Sequence, residues 1–126
     1  MKKDWGTWCG SWLSDPSVAY GKQQMKNSVA YGPNNSWLAM YEGYYGPHWY
    51  AWSYMQAPVG SYVNTIWFDA NSNEYFCGDS SGASDAQVWP GKTSTYTAGI
   101  RDDQAKSFKA CGGAPSQFCG PAWITW

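Results

Sequence analysis

The chain predicts an all-β fold: a small disulfide-stapled antiparallel β-sandwich or barrel of about seven to eight short strands. Three observations carry this expectation. Side chains alternate with a period of two over several stretches, as they do when a strand turns one face to a core and the other to solvent. Gly, Pro and Asn punctuate those stretches at short intervals, which is turn chemistry. Cys9, Cys77, Cys111 and Cys119 are an even set in a small chain with few aliphatic residues, where disulfides are most useful.

The elements follow in order. Ser17-Val18-Ala19-Tyr20-Gly21 recurs as Ser28-Val29-Ala30-Tyr31-Gly32. Two copies read as adjacent strands of similar environment; a repeat array would need three or more. From Ser36 to Tyr41, Trp37, Ala39 and Tyr41 alternate with Leu38 and Met40. From His48 to Gln56, Tyr50, Trp52 and Tyr54 share one face, and Trp49, Ala51, Ser53 and Met55 the other. From Tyr62 to Phe68, Tyr62, Asn64, Ile66 and Phe68 lie opposite Val63, Thr65 and Trp67. Asn71-Ser72-Asn73 then reads as a hairpin turn into Glu74–Cys77. Gly78 to Asp85 is a Ser/Gly/Asp loop, and Thr93 to Ala98 is strand-like. Gly32-Pro33-Asn34-Asn35 and Gly46-Pro47 are turns. Asp102 to Ala110 is open between a capped helix and a strand, with the alternation from Ala105 to Cys111 favouring the strand.

Composition sets the core problem. The chain has 126 residues, enough for a single domain over 1–126. Aromatic residues make up 19% and charged residues only 13%, about half the ~25% usual for soluble chains. Leu, Ile, Val and Phe together number 14. Such scarcity signals disorder only alongside a large net charge, and the net charge here is −1. Trp and Tyr are therefore expected to build the core, each able to bury ~150–250 Å².

Several function classes fall away. Eight Lys and Arg stand against nine Asp and Glu with no basic stripe, which excludes a nucleic-acid partner. No apolar run approaches the ~20 residues of a membrane-spanning helix, and no cationic amphipathic face is present for acting on membranes. Zinc is disfavoured because there is no CxxC, and His48, the one histidine, is distant from every cysteine in sequence. No metal and no cofactor is expected. Four cysteines allow three pairings. The preferred one is Cys111–Cys119, local across Gly-Gly-Ala-Pro, which leaves Cys9–Cys77. Met1-Lys2-Lys3-Asp4-Trp5-Gly6 has no apolar leader core. A cytosolic chain or one whose leader has been removed would both fit, and the cysteines favour the second, a secreted protein.

The strand carrying Trp52, the Gly60-Ser61-Tyr62-Val63 strand entry, Tyr96-Thr97-Ala98-Gly99 and Lys109-Ala110-Cys111-Gly112 occur in an order that resembles small secreted actinobacterial all-β proteins with one or two disulfides, many of them of unknown function. The likeness spans about positions 28–112. It departs from the arginine-rich pattern expected after the central Trp, since Ser53 follows Trp52. The resemblance implies secretion and an all-β fold, and no activity.

No catalytic constellation stands out. His48 lies in Gly46-Pro47-His48-Trp49 without a GxSxG elbow and reads as a loop-edge histidine bonded to backbone or water. A glycosidase needs two carboxylates ~5–10 Å apart. The candidates are Glu42, Asp69, Glu74, Asp79, Asp85 and Asp102-Asp103, with Asp69 and Glu74 placed to face each other across the hairpin; carboxylates at a turn are expected to be solvated. Asp79 to Asp85 offers oxygen ligands without the spacing of a calcium loop.

The aromatics remain. Trp and Tyr bind sugars by stacking on the C–H face of the ring, and the same side chains dominate protein hot spots. Gly43 to Trp49 reads as a loop, where aromatics have less reason to be core. The stripe Tyr50/Trp52/Tyr54 reads as core, since with so few aliphatics some stripe must be. The candidate ligand-binding set is Tyr44, Tyr45, His48, Trp49, Trp52 and Tyr54. Trp123-Ile124-Thr125-Trp126 carries two Trp, expected on one strand face, that dock as a final strand or meet a partner. Two function classes follow: a secreted non-catalytic module for a glycan or cell-surface ligand, or a protein–protein module (an inhibitor, a subunit of a secreted toxin assembly, or a filament component) able to form a homo-oligomer.

Overall fold

The protein is described from a computed structural model over residues 9–10, 12–79 and 84–126. The expectations for Met1–Gly6, and for the middle of the Gly78–Asp85 loop with its calcium reading, fall outside those residues. Among the described residues there are twelve strands: β1 (Trp12–Leu13), β2 (Tyr20–Gln24), β3 (Ala30–Tyr31), β4 (Trp37–Tyr45), β5 (His48–Gln56), β6 (Tyr62–Phe68), β7 (Glu74–Cys77), β8 (Ala86–Gln87), β9 (Ser94–Tyr96), β10 (Gly99–Arg101), β11 (Ser107–Gly113) and β12 (Gln117–Cys119). The excess over seven or eight comes from strands of two or three residues, too short to show a period.

Every pairing is antiparallel, and the strands form two sheets. The larger runs β1-β10-β5-β4-β2, with β3 also on β4 and β9 also on β5. The smaller runs β12-β11-β6-β7, with β8 also on β6. The sheets do not merge into a closed barrel; β4 and β5 pack against β6 and β11 as a sandwich. Among the described residues no helix is long and apolar enough to cross a membrane.

The expected alternation on β6 is present. Val63, Thr65 and Trp67 point inward, with Phe108 and Ala110 opposite them on β11 and Tyr75 and Cys77 on β7. Asn71–Ser72–Asn73 is the β6–β7 turn, closed by Asp69 N–H to Asn73 O and by Ser72 at φ +63. From Ser107 onward the ambiguous segment is strand. The two Ser-Val-Ala-Tyr-Gly copies are not neighbours. Tyr20 pairs with Tyr44 and Tyr31 with Trp37, so the copies lie end to end along the same edge of β4, and Pro16–Val18 of the first is a 3-10 turn.

The core corrects the compositional argument. It is built from Met25, Leu38, Met40, Met55, Val63, Ile100, Ile124 and several alanines, and the rings within it are Trp67, Tyr75 and Phe108. Ala51, Ala98, Ala105 and Ala110 are among its members, and few large rings are. Three unbranched methionines fill what remains. Among the other described aromatics ten are exposed, Trp52 is buried and the rest are half-buried. Of the stripe Tyr50/Trp52/Tyr54, expected as core, Trp52 is buried at 5% exposed, while Tyr50 and Tyr54 are only half-buried. Leu38 pairs with Met55 and Met40 with Ser53, which makes theirs the inner face, and Tyr41 opposite Trp52 the outer one.

A hydroxyl cluster crosses the sandwich at its centre. Ser53 on β5 meets Thr65 on β6 at 2.5 Å, Thr65 meets Thr97 at 3.1 Å, and Ser53 N–H donates to Thr97 Oγ1. All three residues are buried. Each hydrogen bond satisfies a group whose desolvation would otherwise cost about 1–3 kcal/mol. The residue that departs from the resemblance, Ser53, therefore joins the two sheets.

Both preferred disulfides are present. Cys111–Cys119 links directly opposed positions on β11 and β12, and Cys9–Cys77 ties the N-terminal segment to β7. Two such bonds are compatible with an oxidising, extracellular compartment. The end of the chain docks through one bridge, Ile124 to Phe108. Trp123 and Trp126 do not share a face, because three positions apart is odd on an extended chain. Trp123 packs on Phe68 under the Lys109 ammonium, and Trp126 packs on Phe108 and donates to Ala105 O.

Candidate functional site

The candidate set divides between two places on the β4–β5 hairpin. Gly43 to Trp49, expected as a loop, is strand on both sides of a two-residue turn, Gly46-Pro47. Gly46 has φ +61, the conformation that a type II′ hairpin requires at its first central position. Tyr44 and Trp49 face each other past the end of the core, with ring centroids 5.2 Å apart, and Tyr20 extends the cluster at 5.9 Å from Tyr44. Both are exposed, as is Tyr45. A small pocket here is bounded by Tyr44, Gly46, Pro47, His48 and Trp49.

His48 is held rather than free. Its Nδ1 lies 3.1 Å from Asp102 Oδ1, while Asp102 Oδ2 accepts Trp49 N–H at 3.2 Å. This clamps the start of β5 to the turn after β10. Asp103 completes a group of three potential metal-ligand side chains. Its carboxylate is already engaged by Arg101 at 2.6 Å, and this pairing holds the Asp103 carboxyl below the usual carboxylate range. A cation there would have to compete with the guanidinium.

Trp52 and Tyr54 belong to a different surface, the outer face of the larger sheet. Trp37, Tyr41 and Tyr54 form a row, with centroids 5.4 Å apart for Trp37–Tyr54 and 5.5 Å for Tyr41–Tyr54. Trp52 lies at its base, 5% exposed. A Cβ at Gly43 would fall 3.0 Å from Ala19 Cβ and 3.1 Å from Trp52 Cη2, so glycine lets the chain ahead of β2 close over the indole without displacing either. Over this floor opens a pocket of about 260 Å³, walled by Pro16, Ser17, Lys22 and Tyr96.

The wall is rigid for identifiable reasons. Asp15 caps the Pro16–Val18 turn, accepting from Ser17 N–H and Ser17 Oγ–H, and also accepts from Tyr96 O–H at 3.0 Å. The Ser17 hydroxyl, followed by its N–H, holds the Asp15 carboxyl below its ordinary value. Lys22 Nζ donates to Ser17 O and Ala19 O, closing the same turn. Burial raises the Tyr41 hydroxyl, with a smaller contribution from Tyr54. Burial also raises Tyr96, aided by the neighbouring Asp15. Both phenols therefore stay protonated as hydrogen-bond donors. Gln24 and Gln56 sit at the ends of the row, bonded to Tyr41 and Trp37.

The aromatic region from Trp37 to Tyr54 was the most suggestive in the sequence, but the candidate set left out Trp37 and Tyr41, and Tyr96 was not considered. Parity would have found Trp37 and Tyr41, since both share a face with the positions opposite Trp52. Tyr96 had no local signal. The carboxylate pair Asp69/Glu74 is also set aside: Asp69 accepts from Asn71 N–H, Asn73 N–H, Asn73 Nδ2 and Tyr75 O–H, which commits both its oxygens to the turn.

Compared with known proteins, the chain matches no family model, no curated protein and no solved structure.

Proposed function

We propose that the protein is a secreted, non-catalytic binding module that holds a carbohydrate against the outer aromatic face of its larger sheet. One observation carries the reading: Trp37, Tyr41 and Tyr54 lie half-exposed on the face turned away from the core, in a row above the buried Trp52. Flat rings flanked by Tyr, Ser and Gln donors and acceptors suit a ligand with apolar C–H faces and many hydroxyls. Tyr44, Tyr45, His48 and Trp49 at the hairpin tip form a separate patch.

A second reading, a protein–protein module, has its own observation. Strand β2 is an edge exposed along its length, and Tyr31 beside it is 81% exposed. That edge also carries a bulge between Tyr20 and Gln23 and a lysine, the devices that discourage edge-to-edge pairing.

The test is tryptophan fluorescence of the oxidised protein titrated with a panel of soluble glycans, with light scattering to give the mass. A monomer whose emission shifts saturably with one glycan class, and whose response is lost in Tyr54→Ala but kept in Trp49→Ala, is the expected result. A concentration-dependent oligomer with no glycan response would overturn the carbohydrate reading in favour of the second.

A further inference from the structure

The Trp52 pocket has a neighbour. Tyr96 also lines a second pocket of about 440 Å³, to which Trp89, Gln87, Lys92, Ser94 and Asp15 contribute. The tyrosine is therefore a wall common to both, fixed by its hydrogen bond to Asp15.

Trp89 is the notable residue of the second pocket. It is 61% exposed and takes no part in the core. It is nevertheless not on a loose loop. Trp89-Pro90-Gly91-Lys92 closes with Lys92 N–H to Trp89 O at 3.0 Å, with Gly91 at φ +85. Pro followed by a positive-φ Gly is the pattern of a type II turn. The turn is anchored on one side by Val88, which exchanges backbone bonds with Gly60 and Ser61, and on the other by Ala57 N–H to Thr93 O. On a turn whose backbone is fixed, only the side-chain torsions of the indole remain to be ordered when a ligand stacks on it.

We infer that the two pockets are subsites for one neutral oligosaccharide, which runs from the Trp52/Tyr54 floor past Tyr96 to stack on Trp89. This rests on the carbohydrate reading above and extends it to chain length and charge. The smaller pocket lies below the ~300–1,000 Å³ of ordinary small-molecule sites, which suits a subsite. The charges around the two balance, Asp15 and Asp79 against Lys22 and Lys92, so no field of one sign selects an anionic or cationic ligand. The Asp15 carboxylate and Lys22 ammonium are moreover already bonded within the wall.

The experiment titrates the wild type, Trp89→Ala and Tyr54→Ala with cello-, xylo- and chito-oligosaccharides from di- to hexasaccharide. Thermal melts confirm that each variant is folded. In the wild type, affinity should rise roughly tenfold or more with length as the second ring is reached. Trp89→Ala should flatten that rise and leave the disaccharide unaffected, while Tyr54→Ala should weaken every length. Affinity independent of length, or a Trp89→Ala variant that loses nothing with the longer ligands or loses equally at all lengths, would overturn the two-subsite inference and leave the carbohydrate reading standing. Absence of binding to every oligosaccharide in the wild type would overturn both.

Discussion

Both sheets carry aromatic rings on their outer faces, and the smaller sheet also turns large rings into the core. On the smaller sheet Trp67 points inward, 2% exposed, and packs on Tyr75 with centroids 4.5 Å apart. On the larger sheet the inward positions are Leu38, Met40, Ala51, Ser53 and Met55, and the rings of Trp37, Tyr41, Trp52 and Tyr54 turn outward. Both sheets have the same period, and they differ in what they turn inward. Rings on the smaller sheet share the core with Leu38, Met40 and Met55 of the larger one. An aromatic-rich chain can thus be short of aromatic core, with the surplus rings left on the surface.

The sharpest test of this contrast is truncation on each sheet. Trp67→Ala should cost about 3–5 kcal/mol in urea denaturation, because it opens a cavity inside the sandwich. Tyr54→Ala on the outer face should cost much less, about 1 kcal/mol from lost ring contacts. Equal costs would mean that the outer row is structural after all. The disulfides should divide next. Replacing both Cys9 and Cys77 by Ala frees a loop with sequence separation 68, against 8 for Cys111 and Cys119. Loop-closure entropy then predicts losses of about 4 and about 2.5 kcal/mol, readable as two denaturation midpoints under oxidising conditions.

Acid should act through the smaller sheet's hairpin. Hydrogen bonding, led by the Asn73 N–H, lowers the Asp69 carboxyl in the folded state. Its contribution is therefore fully present above the ordinary carboxylate value and is lost as pH falls through the lower folded value. Asp69→Asn should weaken the protein at neutral pH, with the difference from wild type closing as pH falls below about 4. A constant difference across that range would dissociate the effect from the charge.

The smallest expected effect has the opposite sign. Burial raises Asp85, with Asn64 Nδ2 donating to it at 3.3 Å. A raised carboxyl favours the fold below its unfolded value, and that advantage is lost as pH rises through the folded value. Asn64 Oδ1 is buried without a hydrogen-bond partner among the described residues. Asp85→Asn removes the desolvated charge and brings a donor beside that oxygen. A modest rise in Tm at pH 7 that vanishes near pH 3 is the expected thermal-melt result; a fall at pH 7 would show that the carboxylate itself is needed.

Much of the fold was legible because strands of seven to nine residues repeat the period often enough to be seen. β4, β5, β6 and the Asn71–Asn73 turn were all readable in this way, and the preferred cysteine pairing held. The two-residue strands β1 and β8 were not readable, since their existence depends on what they lie beside. The candidate site was legible in part. Trp52 and Tyr54 could be singled out as aromatic, but their neighbours Tyr96 and Pro16 reach them from distant parts of the chain. Trp89 had a local signal in Trp-Pro-Gly, a turn that leaves the first side chain at the surface.

The sequence by itself determined the strand period, the turns, the class of fold and the absence of a basic stripe, because these depend on residues within a few positions of one another. It did not determine which face of each strand is inside. Alternation is symmetric, and reversing the faces of β5 leaves its pattern unchanged. Only packing against the second sheet breaks that symmetry. There β5 turns Ala51, Ser53 and Met55 toward β6 and β11, and Tyr50, Trp52 and Tyr54 to the other side.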